Sequence, residues 1–234
     1  MIISAFGDLD RCDIQALEDA VKHANKPDLL LFAGDIAYMM DSDQTKKYEQ
    51  VIKILDQAGW DCPIIAVFGN HDAGGQEEEI VKKFQGRIFF LRDQAVSVSV
   101  REKTVGIVGS IGVLDTTTMW ESGGVVGMMD QFGERIEKLN KLLKNLKDDF
   151  KILLTHYAPT YKTLEGEPED LWEVMGSEII ETIVKQRKPN ICIHGHAHFG
   201  KALAFINGIP VFNVALPVNN NRIVEIDTDN LPSE

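Results

Sequence analysis

The sequence has 234 residues, of which 44% are hydrophobic, and this is enough for one domain with a full core. No apolar run approaches the ~18 to 20 residues that span a bilayer, so no membrane segment is predicted. The formal net charge of −12 disfavours nucleic acid or an anionic membrane as a partner held by bulk electrostatics.

The cysteines and the N-terminal segment predict a cytoplasmic protein. Cys12, Cys62 and Cys192 are scattered and odd in number, which argues against a disulfide framework and for a reducing compartment. Residues 1–6 have no basic region before their apolar run. We therefore interpret them as a core strand rather than as a signal peptide.

The first third of the chain predicts three strand-to-helix units. The strands are continuous apolar runs, which is typical of a buried and mostly parallel sheet. The helices carry apolar residues at helical spacing. Predicted strands cover residues 2–6, 29–32 and 64–68, and predicted helices cover residues 13–24, 46–58 and 77–84.

The remainder predicts a β-meander, a loop rich in Gly, Thr and Met, a long amphipathic helix, and then further alternating elements. Asn207-Gly208 predicts a hairpin turn. With no linker or repeat in the chain, we predict one domain over residues 1–234. The predicted elements are strands 88–91, 95–100 and 104–109, loop 112–129, helix 130–150, strand 151–155, irregular segment 157–173, helix 177–187, and strands 191–193, 201–206, 209–214 and 222–226.

Short polar motifs follow the predicted strands and contain five of the six histidines; His23 is the exception. Histidine, carboxylate and the Asn carbonyl are ligands for divalent metals. Loops at the carboxyl ends of strands gather distant residues into one site, so the pattern indicates a two-metal hydrolase. The motifs are Gly7-Asp8-Leu9-Asp10, Gly34-Asp35, Gly69-Asn70-His71-Asp72, the single His156, and His194-Gly195-His196-Ala197-His198.

These strings, in this order, resemble the calcineurin-like metallophosphoesterases over nearly the whole chain. The resemblance implies an α/β fold, a four-layer α/β/β/α sandwich of two mixed sheets flanked by helices. It also implies hydrolysis of a mono- or diester of a small phosphorylated molecule at a dinuclear metal centre. The negative charge is compatible with such a substrate, because bound cations reverse the field locally.

By resemblance, one metal would be held by Asp8, Asp10 and His198, the other by Asn70, His156 and His196, and Asp35 would bridge the two. A bridging carboxylate can hold two cations ~3.5 to 4 Å apart, where they clamp a phosphoryl group and activate a shared water as nucleophile. His71 would protonate the leaving oxygen as general acid, and Asp72 would orient its imidazole.

Each residue also has a structural interpretation. Asp8 and Asp35 could be helix caps or turn formers, Asn70 a turn residue and His156 a satisfied core histidine. His194 is expected to lie in the core. The recurrence of all these motifs at strand ends favours the metal centre.

The first motif departs from the family, which usually has Asp-x-His where this chain has Asp8-Leu9-Asp10. With Asp10 as a ligand the site holds three carboxylates, which favours Mn²⁺ or Fe over Zn²⁺. Alternatively, Asp10 caps the helix that begins near Asp13 and leaves the first metal site weak.

The resemblance places the substrate walls in the loops 112–129 and 157–173, and it leaves monoester and diester substrates equally open. The alternative to an enzyme is an inactive scaffold for protein–protein interaction that retains the fold. The presence of both His71 and Asp72 favours catalysis. The oligomeric state is left open.

Overall fold

The computed structural model describes residues 1–72, 75–116 and 125–234, with side chains in the last range described from residue 132. The strands are β1 Ile2–Phe6, β2 Leu29–Ala33, β3 Ile64–Val67, β4 Phe89–Phe90, β5 Gln94–Val100, β6 Lys103–Ser110, β7 Phe150–Thr155, β8 Ile191–His194, β9 Leu203–Ile206, β10 Ile209–Asn213 and β11 Val224–Asp227. The α-helices are α1 Ile14–His23, α2 Thr45–Gln57, α3 Glu77–Lys83, α4 Val125–Asn145 and α5 Glu178–Arg187. Short 3₁₀ turns cover Leu9–Arg11, Tyr161–Thr163 and Glu169–Val174.

The strands form two mixed sheets. The first has the order β11-β1-β2-β3-β4, and the second has the order β5-β6-β7-β8-β10-β9. Parallel strands occupy the middle of each sheet, while β11, β5 and β9 pair antiparallel with their neighbours. Parallel strand ends therefore meet along one edge of each sheet, where loops can build a site.

Three buried clusters define four layers. One cluster joins α1, α2 and α3 to the first sheet, the second lies between the two sheets, and the third joins α4 and α5 to the second sheet. Central strands such as β2 are buried on both faces, which explains their continuous apolar runs. The predicted α/β/β/α sandwich of two mixed sheets is confirmed.

Helix ends follow the capping residues. The Asp13 carboxylate accepts a hydrogen bond from the backbone N–H of Gln15 and begins α1, and the Ser177 hydroxyl does the same for Ile180 in α5. Asp13, and not Asp10, is therefore the cap of α1. No described helix is long and apolar enough to cross a membrane.

The predicted β-meander is wrong. The segment 88–91 contains β4, which pairs parallel with β3 in the first sheet. Only β5 and β6 form a hairpin, and β6 then pairs parallel with β7. Short apolar runs do not encode which sheet they join, because that choice depends on long-range pairing.

The boundaries of the long helix also differ from the prediction. Helix α4 begins at Val125, inside the predicted loop 112–129, and residues 117–124 of that loop lie outside the described residues. It ends at Asn145, whereas residue 150 begins β7. The Asp149 carboxylate accepts hydrogen bonds from the backbone and hydroxyl of Thr104, which ties the turn after α4 to β6. The predicted hairpin turn is confirmed, because Asn207 and Gly208 both have positive φ.

Candidate metal centre

Five strand ends bring their loops to one place. The loops are hydrogen-bonded to one another through the backbone: Asp8 N–H donates to Gly34 O at 3.0 Å, Asp10 N–H to Asp35 O at 3.1 Å, and Gly195 N–H to His156 O at 3.2 Å. The site therefore rests on rigid backbone from both sheets.

Two motif glycines allow the loops to approach closely. A Cβ at position 69 would collide with the Asp35 carboxylate, and a Cβ at position 195 would collide with the Asp8 carboxylate. A glycine at each position lets the backbone pack directly against an acidic side chain.

Three of the acidic and histidine residues have left-handed backbone: φ is 58° at Asp8, 51° at Asp35 and 68° at His196. Aspartate visits this region more readily than most residues. The turn directs each side chain into the space between the strand ends, where Asp8 and Asp35 are buried.

We call Asn70, His156 and His196 the inner half-site. His156 is fully buried, and its Nδ1 lies 2.8 Å from Ala33 O. A carbonyl oxygen only accepts, so Nδ1 carries the proton and Nε2 of the neutral ring presents a lone pair. That Nε2 lies 2.9 Å from Asn70 Oδ1, 3.2 Å from His196 Nδ1 and 3.4 Å from Asp35 Oδ2.

The inner half-site fits a divalent cation. Donors bound to one cation at ~2.1 Å lie about 3 Å apart, close to the spacings around His156 Nε2. Burial lowers the pKa of His156, but the Asp35 carboxylate and neighbouring acceptors outweigh burial and raise it to about 10. The pocket therefore attracts positive charge, whether a proton or a metal ion.

The Asp35 carboxylate lies between the inner half-site and His71. Its Oδ1 accepts the His71 backbone N–H at 2.8 Å, and its Oδ2 lies 3.6 Å from His71 Nδ1. Burial favours the neutral acid, but the charge of His156 and of His71 outweighs burial and lowers the pKa of Asp35. An ionised carboxylate in this position suits a bridging ligand.

We call Asp8, Asp10 and His198 the outer half-site. His198 Nε2 lies 2.8 Å from Asp8 Oδ1, and the Asp8 carboxylate also accepts the backbone N–H of His196. Asp10 is turned toward His71, with Oδ2 at 2.5 Å from His71 Nδ1. Asp10 Oδ1 is buried and has no hydrogen-bond partner in the described part of the chain.

A second group of potential ligand atoms was not anticipated from the sequence. Among the described residues, atoms of Asp10, Asp35 and His71 lie within 4.8 Å of one another, as do atoms of Asp35, His156 and His196, whereas the predicted set of Asp8, Asp10 and His198 does not form such a group. His71 therefore has the geometry of a ligand as well as that of an acid beside the centre.

Asp72 has different partners from those predicted. Its buried carboxylate accepts backbone N–H groups from Ile36, Ala37 and Gly69. Among the described residues no hydrogen bond joins it to the His71 ring, which contacts Asp10 instead. Asp72 thus ties the loop after β2 to the loop after β3.

Two further residues next to the site were missed by sequence analysis. The buried Gln44 donates from Nε2 to His71 O at 2.8 Å and to Tyr38 O at 3.2 Å. The Tyr38 ring meets the His71 ring edge-on, with centroids 5.7 Å apart. Tyr38 could have been found as an aromatic residue shortly after the Gly34-Asp35 motif. No sequence pattern predicts the contacts of Gln44.

His194 lies in the core, as expected from strand alternation. It is fully buried, its Nδ1 contacts Gly195 O at 2.7 Å, and burial lowers its pKa to about 4. It belongs to neither half-site.

Comparison with known proteins identifies the family. The family model for calcineurin-like phosphoesterases matches residues 2–200. The chain belongs to the calcineurin-like phosphoesterase family. This membership makes it a metal-dependent phosphoesterase, in agreement with the cation-attracting geometry of the inner half-site.

Relatives of this phosphoesterase cover most of its length. A protein of Arcobacter nitrofigilis named "Probable glycerophosphodiester phosphodiesterase" is 24% identical over 221 residues, which is 90% of this chain and 75% of the relative. The crystal structure of a phosphopantetheinyl hydrolase from Mycobacterium tuberculosis is 13% identical with a TM-score of 0.67, covering 99% of this chain and 98% of that one. A hypothetical protein from Thermus thermophilus is 16% identical with a TM-score of 0.54, covering 91% of this chain and 75% of that one. The two structural likenesses show a shared fold.

Proposed function

We propose that this phosphoesterase hydrolyses a phosphoester of a small molecule at a centre of two divalent cations, with His71 as the general acid. The observation that carries the proposal is the convergence of donors on His156 Nε2, whose ring is fixed by its Nδ1–H donating to Ala33 O. In its neutral form such a ring has no hydrogen on Nε2, so this atom can serve as a ligand when a cation takes the place of the proton.

In this proposal Asp35 bridges the inner and outer half-sites. When bound, the cations would polarise the phosphoryl oxygens and make water a better nucleophile. Oxygen donors from Asp8, Asp10, Asp35 and Asn70 outnumber the imidazoles of His156, His196 and His198, which favours Mn²⁺ or Fe over Zn²⁺.

In this proposal the His71 ring delivers a proton to the leaving oxygen. Its Nδ1 is held by the Asp10 carboxylate, so the proton that can be transferred is the one on Nε2. The hydrogen bond that His71 donates to the Asp10 carboxylate raises the pKa of His71, which favours the protonated ring that a general acid needs. Only 13% of the His71 side chain is exposed, so the ring lies at the edge of the site.

The test is metal-dependent turnover on a panel of esters. We would strip the protein with a chelator, reload it with Mn²⁺, Fe²⁺ or Zn²⁺, and assay nitrophenyl mono- and diesters together with glycerophosphodiesters. A glycerophosphodiester is included because of the named activity of the Arcobacter relative. Turnover should return with Mn²⁺ or Fe²⁺. A protein that binds metal but hydrolyses nothing on the panel would favour the scaffold alternative.

A further inference from the structure

The two oxygens of the Asp10 carboxylate have different surroundings. One oxygen, Oδ2, lies 2.5 Å from His71 Nδ1. The other, Oδ1, is buried without a hydrogen-bond partner among the described residues. The Asp10 backbone is fixed by its N–H, which donates to Asp35 O at 3.1 Å.

We propose that Asp10 joins the metal centre to the general acid. Its Oδ1 ligates the cation of the outer half-site, while its Oδ2 accepts the Nδ1–H of His71 and directs Nε2 toward the leaving group. Asp10 is then both a ligand and a positioning residue. This inference rests on the proposed function and assigns the orienting role to Asp10 in place of Asp72.

An ionised carboxylate can do both tasks because its two oxygens accept independently. A buried carboxylate oxygen without a partner is costly, so a cation on Oδ1 removes an unsatisfied charge from the interior. The side chain of Asp10 has no exposed surface, so water does not meet this need from outside.

A histidine at this position could not replace both functions. If one ring nitrogen bound a cation, the other would carry a hydrogen and present it to the Nδ1–H of His71. Two donors would then face each other across the present 2.5 Å contact. The departure from Asp-x-His therefore changes how the acid is held, and not only the charge of the ligand set.

The Asp72 contacts support the same assignment. Both Asp72 oxygens are used by backbone N–H groups of Ile36, Ala37 and Gly69. Asp35, the other carboxylate near the His71 ring, lies 3.6 Å from Nδ1 and also faces His156 at 3.4 Å. Asp10 makes the shortest contact with the ring.

The test compares Asp10→His, which keeps a potential ligand, with Asp10→Ala, which removes ligand and acceptor together. Asp10→His should retain about two equivalents of metal by elemental analysis. Its turnover on an alkyl ester should fall about 10- to 100-fold, the usual effect of losing a residue that orients a functional side chain. Its turnover on a nitrophenyl ester should change much less, because that leaving group needs little protonation. Asp10→Ala should also lose one metal equivalent.

Two further measurements separate positioning from general damage. In a His71→Ala background, Asp10→His should cause no additional loss on the alkyl ester. In the Zn²⁺-loaded protein, at a pH high enough for the His71 ring to be neutral, nitrogen NMR should find the His71 hydrogen on Nδ1, and Asp10→His should shift it to a mixture of tautomers. Asp13→Asn is the matched control, since it removes a nearby exposed carboxylate outside the site and keeps a side-chain oxygen that can cap α1.

Equal losses on both esters with an unchanged tautomer would overturn the positioning role, and two retained equivalents in Asp10→Ala would overturn the ligand role. If Asp10→His does not fold, Asp10→Asn replaces it. Asparagine keeps the size of Asp10 but offers only one acceptor oxygen. The proposal would be overturned if Asp10→Asn kept two metal equivalents and the wild-type ratio of alkyl-ester to nitrophenyl-ester turnover. If the wild type hydrolyses no ester, the proposed function fails, whereas metal content and the His71 tautomer still decide the role of Asp10.

Discussion

The inner half-site brings its donor atoms close together, and the outer half-site does so less. Asn70 Oδ1, His196 Nδ1 and Asp35 Oδ2 lie 2.9 to 3.4 Å from His156 Nε2, and the His156 ring is buried and fixed by Ala33 O. In the outer half-site Asp8 and His198 pair with each other, while Asp10 is turned toward His71. The His198 side chain is 21% exposed, whereas that of His156 has no exposed surface.

From this difference we predict that the proposed centre would hold its two ions with unequal affinity. A site whose donors are fixed loses little conformational entropy on binding, while a site that must reorganise loses more. We expect the inner ion to bind more tightly and the outer ion to exchange more readily. The predictions below test this inequality, beginning with the largest effect.

The change Asp35→Asn should remove both ions, so that no difference in affinity between the half-sites remains. Asp35 lies between the half-sites, and asparagine keeps its size and tolerates its φ of 51°. Elemental analysis should find almost no retained metal, with ester hydrolysis lost and cooperative thermal unfolding preserved. Asp43→Asn, in the same loop but outside both half-sites, is the control. Near-normal metal content in Asp35→Asn would exclude the bridging role.

The change His71→Ala should leave both half-sites filled and remove the acid. General-acid catalysis typically contributes ~10² to 10⁴ in rate, so turnover on an alkyl ester should fall by that order. The loss on a nitrophenyl ester should be smaller. Equal losses would mean that His71 binds or positions the phosphate. A loss of metal would instead make His71 a ligand in the group with Asp10 and Asp35.

A matched pair of variants should show directly that the two ions bind with different affinities. His156→Gln should remove the tighter of two binding events in a calorimetric Mn²⁺ titration, because its ring is the centre of the inner half-site. His198→Gln should remove the weaker event and leave the tighter one nearly unchanged. Identical titration curves for the two variants would contradict the inequality.

The change Asp72→Asn should have the smallest effect on chemistry and a clear effect on stability. One amide oxygen cannot accept all the backbone N–H groups that the carboxylate accepts. Burial and the neighbouring Asp35 charge raise the pKa of Asp72 to about 7, so the carboxylate is fully charged only above that pH. Hydrogen bonds to charged groups are worth about 1.5 to 3 kcal/mol, so urea unfolding above pH 7 should show a loss of that order in the free energy of unfolding. The ratio of alkyl to nitrophenyl turnover should not change. A changed ratio would restore the orienting role predicted from the sequence.

The layered fold was predictable because its information is local. Continuous apolar runs identify β1, β2 and β3, and helical spacing identifies α1 and α2 within one residue of their observed ends. The wrong predictions concern features that depend on contacts between distant parts of the chain. The pairing of β4 with β3 joins residues more than twenty positions apart, and the segment after α4 is held to β6 by contacts between Asp149 and Thr104.

The gathering of polar motifs at the strand ends could be anticipated from their order, and the roles of the individual residues remain predictions. What the sequence could not provide was the orientation of each side chain. Asp72 is adjacent to His71 in the chain yet bonds to backbone groups, while Asp10, 61 positions away, contacts the His71 ring. Adjacency in sequence is a poor guide to such contacts, because a turn sends neighbouring side chains in different directions.

The left-handed backbone at Asp8, Asp35 and His196 has an evolutionary consequence. Non-glycine residues in this region cost of order 1 kcal/mol each, a penalty that glycine avoids. Glycine would avoid this penalty, but at positions 8 and 35 it would also remove the acceptor of a partly buried backbone N–H. Under the proposed function, glycine at position 8, 35 or 196 of a related chain would therefore mark a lineage that has lost a metal ligand while keeping the sandwich fold.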